Sequence, residues 1–219
     1  MTAGDKAATG SYLTLRAGVE AAGEVVDRKS RFIAQLVHVE SEEEAAAFVA
    51  RVRARHYDAR HNVPAWILAD GRERASDDGE PSRTSGMPTL EVLRGAGLKD
   101  VCCVVTRYFG GTLLGSGGLV RAYTAAAQAA VEAARADGLT VEMTSVVRVR
   151  ARIPYASYDR VLHVAELAGA KVAGADYADD VALSLAFRAG EERAFLVQLS
   201  ELMAGADVAT ASPAEFSEF

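Results

Sequence analysis

Cysteine is nearly absent: the 219-residue chain has two, Cys102 and Cys103, and they are adjacent. Neighbouring cysteines cannot staple distant segments, and in a strand their side chains point to opposite faces. A disulfide scaffold is therefore excluded, and a reduced, cytoplasmic protein is expected. No apolar run approaches the ~20 residues that a membrane span needs. The opening MTAGDKAATG has neither a basic n-region nor an apolar h-region, so neither a secretory signal nor a membrane role is expected. Proline numbers five, and there is no Pro- or Ser-rich linker and no internal repeat. An excess of positive charge is also lacking. With 24 Lys+Arg against 30 Asp+Glu the formal charge is -6, which argues against wrapping nucleic acid through bulk charge and leaves room for a local basic patch. Nothing signals DNA specifically.

Half of the chain is apolar and a quarter charged, the balance of a soluble globular protein. Residues 1–11 read as a loose tail. Gly18–Val26 and Arg31–Val39 read as strands joined by the polar turn Asp27-Arg28-Lys29-Ser30. Ser41-Glu42-Glu43-Glu44 has the composition of a helix start: Ser41 can cap, Glu44 sits at the capping-box position, and acids suit the positive end of the dipole. That helix is expected to reach about His56, with Ala45, Phe48, Val49 and Val52 as its apolar stripe. A strand follows at Asn62–Leu68, then a long polar stretch from Ala69 to Pro88, of the kind that is usually functional or mobile. A short helix is expected at about Thr89–Gly95. Val101–Phe109 is a continuous apolar run suited to a buried strand. Next come a Gly-rich turn, Gly110–Gly118, and a long helix ending near Ala136, where Asp137-Gly138 offers a left-handed C-cap.

The remainder reads Val141–Ile153 strand, Tyr155–Leu167 helix, Lys171–Tyr177 strand, Val181–Arg188 strand, Glu191–Met203 helix and Val208–Ala211 strand. This β-α-β-β-α-β order is the ferredoxin-like pattern. Residues 1–140 hold 17 Lys+Arg and 18 Asp+Glu, whereas 141–219 hold 7 and 12, so most of the acidity lies in the second part. Two domains are expected, at 12–138 and 141–211, and the fold class is α+β.

The strongest local signal is the strand–glycine turn–helix unit VTRYFGGTLLGSGGLVRAY. Glycines before a helix expose backbone N–H groups, and with the helix dipole these form a natural anion site. Two nucleotide motifs fail against it. Gly110 and Gly115 have Walker A spacing, but Ser116 stands where the lysine belongs. A dinucleotide fingerprint from Gly115 would place Val120 at the third glycine and finds no ribose-binding acid on a second strand. The structural alternative is tight turn geometry and close helix packing. Arg107 and Tyr108 at the strand end and Arg121 in the first helical turns favour an oxyanion or phosphate pocket with Gly110, Gly111, Gly115, Ser116, Gly117 and Gly118.

A second signal is the loop SDDGEPSRTSG, Ser76–Gly86. Asp77, Asp78 and Glu80 are hard oxygen ligands suited to weak Mg²⁺ binding, yet they lack the spacing of a calcium loop, and solvated turn acids are commoner. Ser82, Thr84 and Ser85 have no base placed beside them, and no G-x-S-x-G elbow is present. His38, His56, His61 and His163 form no metal-ligand spacing, although His61 can reach the acidic loop if the chain folds back. No metal site and no cofactor are expected. Cys102 and Cys103 most simply fill a buried strand. A third signal lies in the second domain, where Val147, Val149, Ala151 and Ile153 alternate with Arg148, Arg150 and Arg152. If helices cover one sheet face, the arginines line the open one, with Ala182, Ser184, Ala186 and Arg188 beside them. That face suits phosphates or an acidic partner, but it lacks the stacking aromatics of an RNA-recognition motif. Cross-strand ion pairs with Glu142, Asp176 or Asp180 are the alternative.

Through VTRYFGGTLLGSGGLVRAY, DRKSRFIA (Asp27–Ala34), His61-Asn62 and SDDGEPSRTSGMPTLEVL (Ser76–Leu93), the chain resembles the IMPACT/YigZ family across residues 12–138. The βαββαβ remainder is similar to the C-terminal domain usual in bacterial members. The resemblance implies an N-terminal domain like the second domain of a small-subunit ribosomal protein, in β-β-α-β-α-β-α order. It also implies likeness to the fourth and fifth domains of elongation factor G, and a connection with translation. Eukaryotic members restrain the kinase pathway that senses amino-acid starvation by competing for a ribosome-associated activator, and bacterial members are suspected of binding nucleic acid or ribosomes. The matching positions are Lys29, Ser30, Arg31, Phe32, His61, Asn62, Ser76 through Pro81, Thr84, Gly86, Arg107 through Gly111, and Gly115 through Arg121. Two departures stand out. Arg83 replaces a small residue, adding positive charge to the loop. Val63-Pro64 places a proline in a strand usually free of one, which predicts an edge strand.

The leading reading is a non-enzymatic, translation-linked binding protein. Lys29, Arg31, Arg107, Tyr108, the glycine block and Arg121 would contact RNA or the ribosome, and Arg148, Arg150 and Arg152 would extend the contact. The alternatives are a metal-assisted hydrolase or phosphoryl-transfer enzyme built on His61, Asp77, Asp78, Glu80, Arg83 and Thr84, and a module that binds a translation-associated protein.

Overall fold

The computed structural model describes residues 11–219, so the tail expected over 1–11 lies, Ser11 apart, outside the described residues. The chain falls into two units, Tyr12–Val141 and Glu142–Phe219.

The first unit opens with a short strand, β1 (Tyr12–Leu15), followed by the hairpin of β2 (Glu20–Asp27) and β3 (Ser30–His38). Asp27 pairs with Ser30, so the turn is only Arg28-Lys29, with φ of 45° and 68°. Two left-handed residues match the right-handed twist of the flanking strands. Helix α1 (Glu42–Arg55) starts as its composition requires. Ser41 Oγ accepts from Glu44 N at 3.2 Å, and Glu44 Oε2 accepts from Glu40 N at 2.8 Å. The capping box thus reaches one residue further back than its usual form.

Then follow β4 (His61–Ile67), β5 (Glu73–Ala75), α2 (Gly86–Gly95), β6 (Val101–Tyr108) and α3 (Gly115–Ala136). The sheet order is β2-β3-β6-β4-β5, antiparallel throughout. Helices cover both faces. Ala45, Phe48 and Val52 of α1 pack with Trp66, Cys102 and Val104, while α2 and α3 pack over Phe32, Ala65, Cys103 and Val105. Strand alternation splits the two cysteines between these cores and explains why β6 is apolar on both sides. Burial pushes both thiols up, that of Cys103 to about 12. Helix α3 lies directly on β2: a Cβ on Gly23 would fall 2.4 Å from Ala130 N.

Four local expectations are corrected. The polar stretch 69–88 contains β5, and α2 starts at Gly86, not near Thr89. Gly115–Gly118 form the first turn of α3 and are not part of the preceding loop. β4 is flanked by β6 and β5, so it is no edge strand. Pro64 is tolerated because its carbonyl accepts from Ser76 N at 3.1 Å, on the side away from β6. The missing N–H points that way too, and the β4–β6 ladder loses nothing.

The second unit takes up most of β7 (Thr140–Ile153). A single 3-10 turn (Tyr155–Ser157) leads to α4 (Tyr158–Leu167), and β8 (Lys171–Tyr177), β9 (Val181–Arg188), α5 (Glu192–Leu202) and β10 (Ala209–Ala211) follow. Antiparallel pairing in the order β10-β7-β9-β8 gives the ferredoxin-like fold. A further strand, β11 (Glu215–Glu218), adds to β7 at Met143–Val146. Val147, Val149, Ala151 and Ile153 meet Leu183, Leu185, Phe187, Val161 and Phe195 in the core, which leaves Arg148, Arg150 and Arg152 exposed on the other face.

Candidate functional site

The loop after β5 supplies three carboxylates, and each has partners within the fold. Asp77 Oδ1 accepts from Ser85 N, Gly86 N and Ser85 Oγ at 3.1, 2.9 and 2.8 Å, and its Oδ2 accepts from Arg83 N at 2.7 Å. It therefore caps α2 from eight residues upstream. Burial opposes its ionisation, but these hydrogen bonds outweigh that and hold its carboxyl below the usual range. Asp78 takes Arg53 Nη2 at 2.6 Å and Asn62 N at 2.7 Å. Thr84 donates to Pro81 O at 2.6 Å. Among the described residues no three His, Cys, Asp or Glu side chains cluster as metal ligands.

Glu80 is turned inward. Its carboxylate accepts from Arg107 Nη1 at 2.7 and 2.9 Å and from Tyr123 Oη at 2.8 Å. The Arg107 and Glu80 side chains are 8% and 3% exposed. Burial, seconded by the nearby carboxylate, pushes the Tyr123 phenol well above its ordinary range, so Tyr123 serves as a donor. Arg107 is not saturated: its buried Nε has no partner. The guanidinium instead stacks near Phe32 and Phe109, 5.5 and 5.7 Å from the ring centroids.

His61 lies directly across the ladder from Arg107. Its Nδ1 is 2.7 Å from the Asp78 carbonyl. A carbonyl only accepts, so in the neutral ring Nδ1 carries the proton and Nε2 does not. That Nε2 is 4.0 Å from Glu80 Oε1. Together Arg60, His61, Glu80 and Arg107 line a cavity of about 380 Å³, completed by Gly115 and Ser116 of the first turn of α3 and by Phe109, Leu113 and Leu119. The first turn of α3 has no side-chain cap: Leu114 occupies the N-cap position and no acid follows. Its amides are left to solvent or a ligand.

The glycines of the block have different tasks. A Cβ on Gly110 would fall 2.0 Å from the Lys29 carbonyl carbon, so this glycine lets the loop lie on the β2–β3 turn, where Gly110 N donates to Ser30 Oγ at 3.1 Å. Gly111 and Gly115 have φ of 87° and 73°. Gly118 would press on Leu114 at 2.8 Å, whereas a Cβ on Gly117 would meet only the end of Arg121, at 3.6 Å.

The expected convergence of Arg107 and Arg121 does not occur. Alternation along β6 turns Arg107 into the α3-side core, where Glu80 neutralises it. Arg121 is exposed and does not line the cavity, because it stands two residues, about 200° of helix rotation, from the buried Tyr123. Tyr108 faces the other side of the sheet, bonded to His56 Nδ1 at 2.9 Å and Asp58 Oδ1 at 3.1 Å. Arg31 pairs with Glu24 at 2.8 Å, and Lys29 is exposed on the hairpin turn. Arg83 has φ of 63°, and its exposed side chain borders a groove between α2 and α3. Sequence reasoning did not single out Arg60, which carries no motif, named Phe109 only as one of the matching family positions, and gave Tyr123 no role of its own. In the second unit Arg148, Arg150 and Arg152 stand opposite Ala186, Ser184 and Ala182. Among the described residues none of the three guanidinium groups is ion-paired, so the pairs with Glu142, Asp176 or Asp180 do not form.

Both units match known proteins. The family model described as the Impact N-terminal domain matches residues 28–131, and a domain of unknown function (DUF1949) matches 152–206. The IMPACT family member YvyE of Bacillus subtilis (strain 168) is 50% identical over 115 residues, 52% of each chain, so that match spans about half of the relative's length. A crystal structure of a hypothetical protein superposes with a TM-score of 0.59 at 33% identity, covering 94% of this chain and 98% of that one. The IMPACT family member YigZ of Escherichia coli (strain K12) is 36% identical over 182 residues, 81% of this chain and 87% of the relative. With likeness running through both units at that level, the chain belongs to the IMPACT family.

Proposed function

We propose that this chain is a translation-linked binding protein that meets RNA phosphate, on the ribosome, through the cavity between Arg107 and the start of α3. The observation that carries the reading is the state of Arg107: buried, with one terminal nitrogen on Glu80, Nε unpartnered, and its side chain on the wall of a cavity that also presents uncapped helix amides. Donors fixed in a place of low dielectric favour an anion more than mobile surface lysines do. Arg60 supplies a formal positive charge at the same cavity. Arg28 and Lys29 add charge on the neighbouring turn, where Arg28 Nη1 is 3.4 Å from Leu113 O. Family membership supports the link with translation, and the unpaired arginine row of β7 supports a second contact.

Co-sedimentation with ribosomes at two salt concentrations tests the reading. Wild type should pellet at low salt and be released steeply as salt rises, since each neutralised phosphate frees counterions. Arg60→Ala should be released at lower salt. Wild type that stays in the supernatant, or an unchanged salt response in the variant, would sink the reading.

A further inference from the structure

We infer that the cavity takes a phosphate monoester carried on a nucleoside, the phosphorylated end of a nucleotide chain or a free nucleotide. This rests on the reading above that the cavity meets nucleotide phosphate. The volume of about 380 Å³ lies near the lower end of small-molecule sites, roughly 300–1,000 Å³. That is room of the order of a single nucleotide.

The lining sorts by chemistry. Gly115 and Ser116 present the amides of a helix start that Leu114 does not cap. Arg107 brings a guanidinium with an unmatched Nε, itself more than nine-tenths buried, and Arg60 brings a full charge. A terminal phosphate carries about -1.5 to -2 near neutral pH, against a single charge on a diester, so a wall that carries two guanidinium groups and an uncapped helix start favours the monoester. Glu80 does not repel it as a free carboxylate would, because its oxygens accept from Arg107 and Tyr123.

The other half of the lining fits the nucleoside. His61 Nε2, unprotonated in the neutral ring because Nδ1 donates to Asp78 O, offers an acceptor for a ribose hydroxyl. Phe109 and Leu113 are 51% and 81% exposed, apolar surface at the cavity against which a base can stack.

The test uses one short oligoribonucleotide in three forms, 5′-phosphorylated, 3′-phosphorylated and unphosphorylated, with AMP as a fourth probe, all measured by fluorescence anisotropy or competition. A terminal phosphate on at least one end should tighten binding tenfold or more, and AMP should compete. Ser116→Asp should abolish the increment without lowering the melting temperature, since an acid in the first turn suits the helix dipole. Equal binding of all three oligonucleotides overturns end recognition and leaves the ribosome reading standing. Binding of AMP with no oligonucleotide bound supports the monoester site, identifies the free nucleotide as its source, and overturns the RNA reading. An increment that survives in Ser116→Asp overturns this placement of the site. Failure of every probe overturns both.

Discussion

The Glu80 carboxylate receives Arg107 Nη1 at 2.7 and 2.9 Å, with both side chains almost wholly out of solvent. A buried ion pair adds little net stability when intact, but removing one partner strands a charge and costs about 3–5 kcal/mol. Arg107→Met and Glu80→Gln should therefore each lower the unfolding free energy of the first unit, read from urea melts, by that order. The double variant Glu80→Gln/Arg107→Met should lose much less than the two single effects combined. Additive losses would show that the two groups do not act as a pair.

Asp77 makes a different kind of contribution. Its carboxylate takes three hydrogen bonds from the start of α2 and one from Arg83 N. N-caps are worth about 0.5–2 kcal/mol. Because these bonds hold its folded pKa below the unfolded value, the charge contributes stability at and above the unfolded value, near pH 4. That contribution is lost as the pH falls through the folded pKa. Asp77→Asn should be less stable than wild type at pH 7, and thermal melts of the two should converge toward pH 2–3. A gap that stays constant down to pH 2 would rule out the charge as the cause.

These relationships mark how far the sequence could be read. β8 and β9 carry their patterns locally, and their observed ends, Lys171–Tyr177 and Val181–Arg188, coincide with those the pattern implies. The start of α2 was hidden because its cap is Asp77, far outside the window in which a capping residue is sought. β5 and β11 are three and four residues long, too short to show alternation, and exist through the strands they join. The site was half legible. Arg107, Glu80, His61 and the glycine block were all visible as unusual residues, but not the inward turn of the loop that sets Glu80 on Arg107 and removes Arg121 from the group. Tyr123 looked like one more core residue, since its hydroxyl matters only once Glu80 arrives.

The glycine block should separate by substitution. Gly110→Ala places a methyl 2.0 Å from the Lys29 carbonyl carbon, against main chain that cannot give way. It should destabilise the first unit by several kcal/mol or prevent its folding, as overpacking against backbone exceeds the usual 1–3 kcal/mol of side-chain cases. Gly117→Ala meets only the flexible end of Arg121 and replaces a helical glycine, which should stabilise by about 0.5–1 kcal/mol. Urea midpoints of the two variants should move in opposite directions. A Gly117→Ala loss comparable to that of Gly110→Ala would mean that the start of α3 is packed more tightly than the contacts around it indicate.

Arg148, Arg150 and Arg152 project from one strand at intervals of about 6.6 Å, twice the rise per residue, and they stand over the small neighbours Ala186, Ser184 and Ala182. Being exposed and unpaired, they should cost the fold little when replaced: the triple serine variant should unfold within about 0.5 kcal/mol per site of wild type. If the row tracks a phosphate backbone, each contact removed lowers the slope of log K against log salt by roughly 0.7 on a single strand, so the triple variant should lose up to about 2. Salt titrations of RNA binding by wild type and variant decide the matter, with urea melts run alongside to confirm the fold. A slope unchanged in a fully folded variant would mean that the row does not touch the nucleic acid, and the first unit would then account for all phosphate contact.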